Sequence, residues 1–225
     1  VLRMDGDTTK QKGSFEKILS AFAEGEADVL LGTQMIVKGH DFPNVTLVAA
    51  LAADMSLYAG DYRSSERTFE LLMQASGRAG RAEKAGEVVI QTYNPEEYSI
   101  QAVAGQDAEY FYENELAFRR LMKYPPYSQM AAILILSEEE NEAKTLSEKL
   151  AENIHSVCGD AVTLIGPSKA GLSRAKDRYR YVLYVKSMDE EAMACVREIA
   201  EEANRRVVNQ KTCSVQYDRD PVNGY

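Results

Sequence analysis

Arg78 and Arg81 stand three apart in Gln74-Ala-Ser-Gly-Arg-Ala-Gly-Arg81, with only Gly and Ala between and beside them. Small neighbours let a backbone approach another surface closely, and a guanidinium is a planar fork that grips phosphate oxygens two at a time. The pattern suits phosphoryl transfer, in which negative charge on the terminal phosphate is neutralised by an arginine reaching across a gap. Cations near a helix C-terminus also pair with the macrodipole. That account suits one arginine and leaves the Gly-Arg-Ala-Gly-Arg arrangement unexplained. The groups that would hold the phosphates are missing from the sequence: it has no Gly-x-x-x-x-Gly-Lys-Ser/Thr loop and no Asp-Glu strand end for magnesium. It therefore reads as half of a nucleotide-driven machine.

About forty residues earlier runs Gly32-Thr-Gln-Met-Ile-Val-Lys-Gly-His-Asp41. Strand ends of a parallel sheet are where such folds place ligand contacts. A Thr33 hydroxyl and a loop of backbone N–H groups suit a nucleic-acid phosphate, and Asp41 suits a ribose hydroxyl or an arginine. In isolation a tight turn capped by Asp41 would be the better explanation of Gly39-His-Asp. Its distance ahead of the arginine pair favours the functional reading. A third cluster, Lys169, Arg174, Lys176, Arg178, Arg180 and Lys186, makes a basic strip. In Arg178-Tyr-Arg-Tyr181 the arginines share one strand face and the tyrosines the other. Two readings stay open: a contact for phosphate or acidic peptide approached by a loop at Gly171 to Ala175, or a solvated sheet face balancing acidic helices. His40 and His155 make no metal site, and His155 is expected to lie exposed at a helix end.

The elements that must position these residues fall into two patterns. Strand endings and helices alternate over the first half: a strand at Val1–Met4, a polar turn at Asp5-Gly-Asp-Thr-Thr9, and a helix carrying Phe15, Ile18, Leu19 and Phe22 that closes at Glu24-Gly25. Apolar runs of the fully buried kind follow at 28–33 and 45–51, then a helix over 64–76, a strand over 86–92 and two helices over 95–123. This predicts an α/β domain with a parallel sheet and flanking helices. Tyr124-Pro-Pro-Tyr127 breaks the helix and marks a boundary. Beyond it, strands over 130–136, 161–165, 178–185 and 213–217 and helices over 141–155 and 190–207 give the β-α-β-β-α-β order of an α+β ferredoxin-like domain. The expected domains are 1–123 and 124–225.

The chain has 225 residues, 45% of them hydrophobic and 27% charged, which is a globular composition. No apolar run approaches the roughly 20 residues of a membrane span. A net charge of −9 excludes nucleic-acid binding by bulk attraction, though not by a local strip. Cys158, Cys195 and Cys213 are widely spaced and odd in number, which matches neither a disulfide framework nor zinc pairs and predicts buried thiols in a reducing compartment. The chain starts as if inside a strand, without a leader, and is expected to be cut from something longer.

Gly32 to Val45 resembles motif V of superfamily 2 helicases, and its Lys-Gly-His-Asp-Phe form resembles the PriA family of bacterial replication-restart helicases. Asp5-Gly-Asp-Thr-Thr is similar to the turn after that family's motif IV, and Gln74 to Arg81 to motif VI. Gly86 to Pro95, Tyr124-Pro-Pro-Tyr and Asp218-Arg-Asp-Pro-Val-Asn223 extend the likeness over essentially the whole chain. The resemblance implies part of the second RecA-like lobe followed by the family's C-terminal domain, in an ATP-driven 3′-to-5′ DNA helicase that reloads replication at stalled forks. It implies Arg81, Arg78 and Gln74 as the catalytic group, with Arg81 on the ATP γ-phosphate. It implies Thr33, Gln34, Lys38, Gly39 and Asp41 as the coupling between ATP and DNA, and Lys176, Arg178 and Arg180 as contacts for DNA or a partner. ATP and magnesium would be held by a first lobe outside the chain, and the family's zinc lies upstream. Branched and single-stranded DNA, single-stranded DNA-binding protein and primosome proteins are the implied partners, in the cytoplasm and away from membranes. The alternatives are another superfamily 2 translocase, or an adaptor that binds without turnover.

Overall fold

The computed structural model describes residues 1–37, 42, 44–58, 60–79, 86–175, 177–208, 212–222 and 224–225. By internal packing these fall into two units: Val1–Ala59 with Ser64–Glu113, and Gly60–Arg63 with Asn114–Tyr225. The break in packing falls inside a helix, α4 (Ala108–Met122), ahead of the proline pair.

In the first unit, β1 (Leu2–Met4) pairs in parallel with β2 (Leu30–Gly32), and α1 (Ser14–Ala23) crosses between them. Gly25, at φ 79°, takes the left-handed conformation that ends α1. A second parallel pair joins β3 (Leu47–Ala50) to β4 (Glu87–Ile90) through α2 (Ser64–Ser76). The core sets Phe69 and Leu72 of α2 against Ala53, against Ile100, Ala102 and Val103 of α3 (Tyr98–Gly105), and against Phe111 of α4. Phe69 and Phe111 stack with ring centres 4.1 Å apart.

The sequence reading of fully buried strands does not hold here. Along β3 and β4, Val48, Ala50, Val88 and Ile90 are half-buried, whereas Leu47, Ala49, Glu87 and Val89 are exposed, as are Leu31 and Leu51. Among the described residues, helices cover one face of this pair. An alternating burial pattern is the physical result of one-sided cover.

The second unit is built on one four-stranded sheet in the order β6-β7-β5-β8, antiparallel throughout. Its elements are β5 (Gln129–Ser137), α5 (Glu140–Cys158), β6 (Thr163–Ala175), β7 (Arg178–Ser187), α6 (Glu190–Val208) and β8 (Cys213–Arg219). The expected β-α-β-β-α-β succession is the one observed. Ile133, Ile135, Leu183, Val185, Val215 and their neighbours meet Leu150 and Ile154 of α5 and Val196 and Ala200 of α6. On β8, the N–H of Val215 is taken by the side-chain oxygen of Asn204 on α6, 3.0 Å away.

The stretch read as a flexible loop, Gly171 to Ala175, is strand: β6 continues past Gly166-Pro167 and pairs with β7 as far as Ala175 opposite Arg178. Two register shifts interrupt the pairing, and β6 lies at the sheet's edge, where a proline's missing N–H costs no ladder bond. Tyr124, beside the proline pair, stacks on Tyr62 at 5.2 Å, and the Lys186 ammonium lies 4.1 Å from the Tyr124 ring. Lys186 also donates to the Met122 carbonyl at 2.9 Å. Burial, and then the neighbouring Lys123, holds the Lys186 pKa below the usual lysine range.

Candidate functional site

Both segments singled out by residue type begin at the end of a regular element. Gly32 closes β2, and a Cβ there would come within 2.5 Å of both the Met4 carbonyl oxygen and the Ile36 side chain. Only glycine lets the chain turn so closely over β1. Thr33 and Gln34 follow, both exposed, and Gln34–Val37 forms a single 3-10 turn secured by the Ile36 N–H on the Thr33 carbonyl at 3.1 Å.

α2 supplies the other half. Gln74 is exposed on its last turn, and the N–H groups of Gly77 and Arg78 continue the helical bonding to Met73 and Ala75, each at 3.0 Å. Arg78 is half-buried, and its guanidinium Nη2 donates to the carbonyl oxygen of Val37, the last residue of the 3-10 turn. Thr33, Gln34, Gln74 and Arg78 are thus carried by two segments joined by one arginine. Lys38, Gly39, Asp41 and Arg81 lie outside the described residues.

Two supports escaped the sequence reading. Asp54, at the end of the apolar run after β3, is buried with its carboxylate ringed by donors: the Thr92 hydroxyl, the Tyr93 N–H at 2.8 Å and the Asn94 N–H at 3.4 Å. These donors, Thr92 first and Tyr93 next, hold its carboxyl below the usual aspartate range. The second is Thr68, fully buried on α2, whose hydroxyl lies 2.9 Å from Ser56 Oγ and 2.8 Å from the Ser64 carbonyl oxygen. An acidic residue closing the apolar stretch that continues past β3 was a signal for Asp54; a Thr amid Phe and Leu on a helix gave none for Thr68.

Asp5 behaves as a turn organiser. Its Oδ1 accepts the N–H groups of Asp7 at 3.1 Å and Thr8 at 3.0 Å, and Arg3 pairs with Oδ2. The Thr8 N–H, more than any other group, lowers its pKa.

In the second unit the basic strip is largely engaged within the fold. Lys169 pairs with Glu140 at 2.5 Å, Arg174 with Asp177 at 3.4 Å, and Arg180 donates to the Leu172 carbonyl at 3.1 Å. Tyr179 and Tyr181 turn to the helix-covered core, so the arginines of β7 take the opposite face, as the alternation requires. Arg178 is half-buried, and Lys176 lies outside the described residues. A groove of 420 Å³ runs between α6 and β8, lined by Met193, Arg197, Asn204, Val215, Tyr217 and Arg219 among others. Its cations are matched by carboxylates: Arg197 by Glu201 at 2.7 Å, and Arg219 by Glu190 at 3.8 Å and Asp220 at 3.7 Å. His155 is exposed near the end of α5; Cys213 is buried, whereas Cys158 and Cys195 are only half-buried. Among the described residues no helix is long and apolar enough to cross a membrane.

Comparison with known proteins gives two family matches. Residues 1–83 match the helicase conserved C-terminal domain, and residues 120–222 match the primosomal protein N C-terminal domain. The Replication restart protein PriA of Bacillus subtilis is 48% identical over 221 residues, covering 98% of this chain and 28% of that protein. Its namesake from Synechocystis is 42% identical over 185 residues, covering 82% of this chain and 22% of that protein. The chain thus spans about a quarter of the length of these relatives. Among solved structures, the de novo designed protein Foldit4 covers 42% of the chain at a TM-score of 0.33 and 13% identity, too slight a likeness to carry an argument. With a helicase C-terminal domain and a primosomal C-terminal domain in succession, and near-half identity along almost its whole length to a curated member, the chain belongs to the PriA family.

Proposed function

We propose that the chain contributes the C-terminal part of an ATP-dependent DNA helicase, moving 3′ to 5′, that restarts stalled replication forks and starts primosome assembly. The observation that supports this reading is the bond from Arg78 to the Val37 carbonyl, which ties the segment ending α2 to the turn that follows β2. In a motor, one segment must sense the nucleotide and the other must move the strand, and a direct bond between them is a means of coupling.

In this reading Arg81 neutralises the γ-phosphate, with Arg78 and Gln74 beside it. Thr33, Gln34, Lys38, Gly39 and Asp41 pass the change to the DNA backbone. The described residues fit one side of a triphosphate: Arg78 offers a fixed guanidinium flanked by Gly77 and Ala79, and no phosphate-cradling loop accompanies it. ATP and Mg²⁺ would be held mainly by another lobe, and the bound nucleotide would supply the free energy for strand movement. Zinc would bind outside this stretch of the family. Residues 124–225 would act as a ferredoxin-like domain, a reading that the antiparallel β6-β7-β5-β8 order supports. That domain would meet branched and single-stranded DNA, single-stranded DNA-binding protein and primosome proteins in the cytoplasm, with Lys176, Arg178 and Arg180 among its contacts.

Two measurements test this reading. The purified chain is expected to hydrolyse no ATP when DNA is added, and DNA-stimulated turnover above background would refute its dependence on another lobe. In the protein carrying its complete reading frame, Arg81→Ala should lower hydrolysis on the order of 10³-fold while leaving most ATP binding. Equal rates in mutant and parent would end the assignment.

A further inference from the structure

The short 3-10 turn Ala53–Ser56 is held on two sides by bonds of different kinds. On one side it is tied to the end of β4: the Ala53 N–H donates to the Gln91 carbonyl at 3.0 Å, and Asp54 gathers Thr92, Tyr93 and Asn94. On the other side Ser56 Oγ, which donates to the Ala53 carbonyl at 3.0 Å, has a lone pair facing the Thr68 hydroxyl of α2 at 2.9 Å, whose one proton it shares with the Ser64 carbonyl 2.8 Å away. Valine has nearly the shape of threonine and lacks its hydroxyl, so at this fully buried position the exchange removes the hydroxyl's bonds and little else. Its direction is its content: it fixes where α2 sits against a turn that is itself bonded to the sheet.

We propose that Thr68, through Ser56, is a positioning residue for the arginine segment. Ten residues of helix and continuing turn separate Thr68 from Arg78, about 15 Å of stiff rod, so a small tilt at Thr68 is enlarged at the guanidinium. The Arg78 bond to Val37 is the far end of the same rod. The two fixed points, Ser56 and Val37, set the line along which Gln74–Arg78 is presented. Loss of the near one leaves the core apolar and filled but lets the far one wander. Misplacement of about 1 Å in a positioned group can cost on the order of 10²-fold in rate.

The inference rests on the reading of Gln74–Arg81 as nucleotide-sensing, and the experiment separates the two. In the protein with its complete reading frame, Thr68→Val should lower kcat for DNA-stimulated ATP hydrolysis roughly tenfold or more, with KM for ATP within about twofold of the parent and the protein folded at the assay temperature. Thr68→Ser, which keeps the hydroxyl, should restore kcat. Should Thr68→Val fail to fold, Ser56→Ala removes the acceptor from a half-buried position and is expected to give the same split. Arg81→Ala is measured in parallel. If Arg81→Ala abolishes turnover while Thr68→Val and Ser56→Ala match the parent kcat, the positioning role is overturned and the nucleotide reading stands. If Arg81→Ala matches the parent, both fall.

Discussion

The two units are held together in different ways. The second rests on a continuous apolar layer in which β5 gives six consecutive buried residues, Met130 to Ile135, pinned between two neighbours in an unbroken antiparallel register. The first has strands of three and four residues and a smaller core, and its decisive contacts are single hydrogen bonds: Arg78 on Val37, Thr68 on Ser56, Thr92 on Asp54. Apolar burial is non-directional and tolerant, whereas a hydrogen bond fixes a direction but is easily lost. A scaffold benefits from the first property. A segment that must be aimed needs the second.

The contrast can be broken most forcefully from the second unit. Ile135→Ala, at a site with no solvent exposure, should cost about 2–5 kcal/mol, read as a fall in the denaturant midpoint. A cost below that of an ordinary surface change would mean the layer does not carry the unit. Asp54→Asn tests the first unit through pH. Because the Asp54 pKa is lowered on folding, its contribution to stability is fully present above the ordinary aspartate value and fades as pH falls below about 4. The gap in Tm between parent and Asp54→Asn should therefore be widest near neutrality and shrink in acid; a gap independent of pH would show that the charge is irrelevant. The smallest effect is expected at Lys144, whose pairing with Glu148 spans 3.9 Å between two half-exposed side chains. Lys144→Ala should leave Tm unchanged within measurement, since exposed pairs contribute little.

Legibility in the sequence followed the same divide. The helix at Ser64–Ser76 is where the Phe69, Leu72 and Met73 spacing puts it, and the six elements after the prolines come in the expected order. Periodicity reports burial, and in the second unit burial is the organising force. It failed where a bond overrules a pattern. Gly166-Pro167 looked like the end of a strand, yet β6 runs on because its partner tolerates shifts in register at an edge. The runs at 28–33 and 45–51 looked buried on both sides because they are apolar, but a strand does not encode whether a second layer of helices lies over it. Gln74 and Arg78 stand out by type and spacing. Thr68 does not, since its role depends on where Ser56 comes to rest twelve residues away.

The grip of Asn204 on the Val215 amide has a meaning beyond the groove it lines. An outermost strand is an invitation to any extended peptide that can zip alongside it. By answering one of its own donors from within, β8 interrupts the row of contacts such a visitor would need, at the cost of a single asparagine. A protein that must stay dispersed has reason to refuse that company.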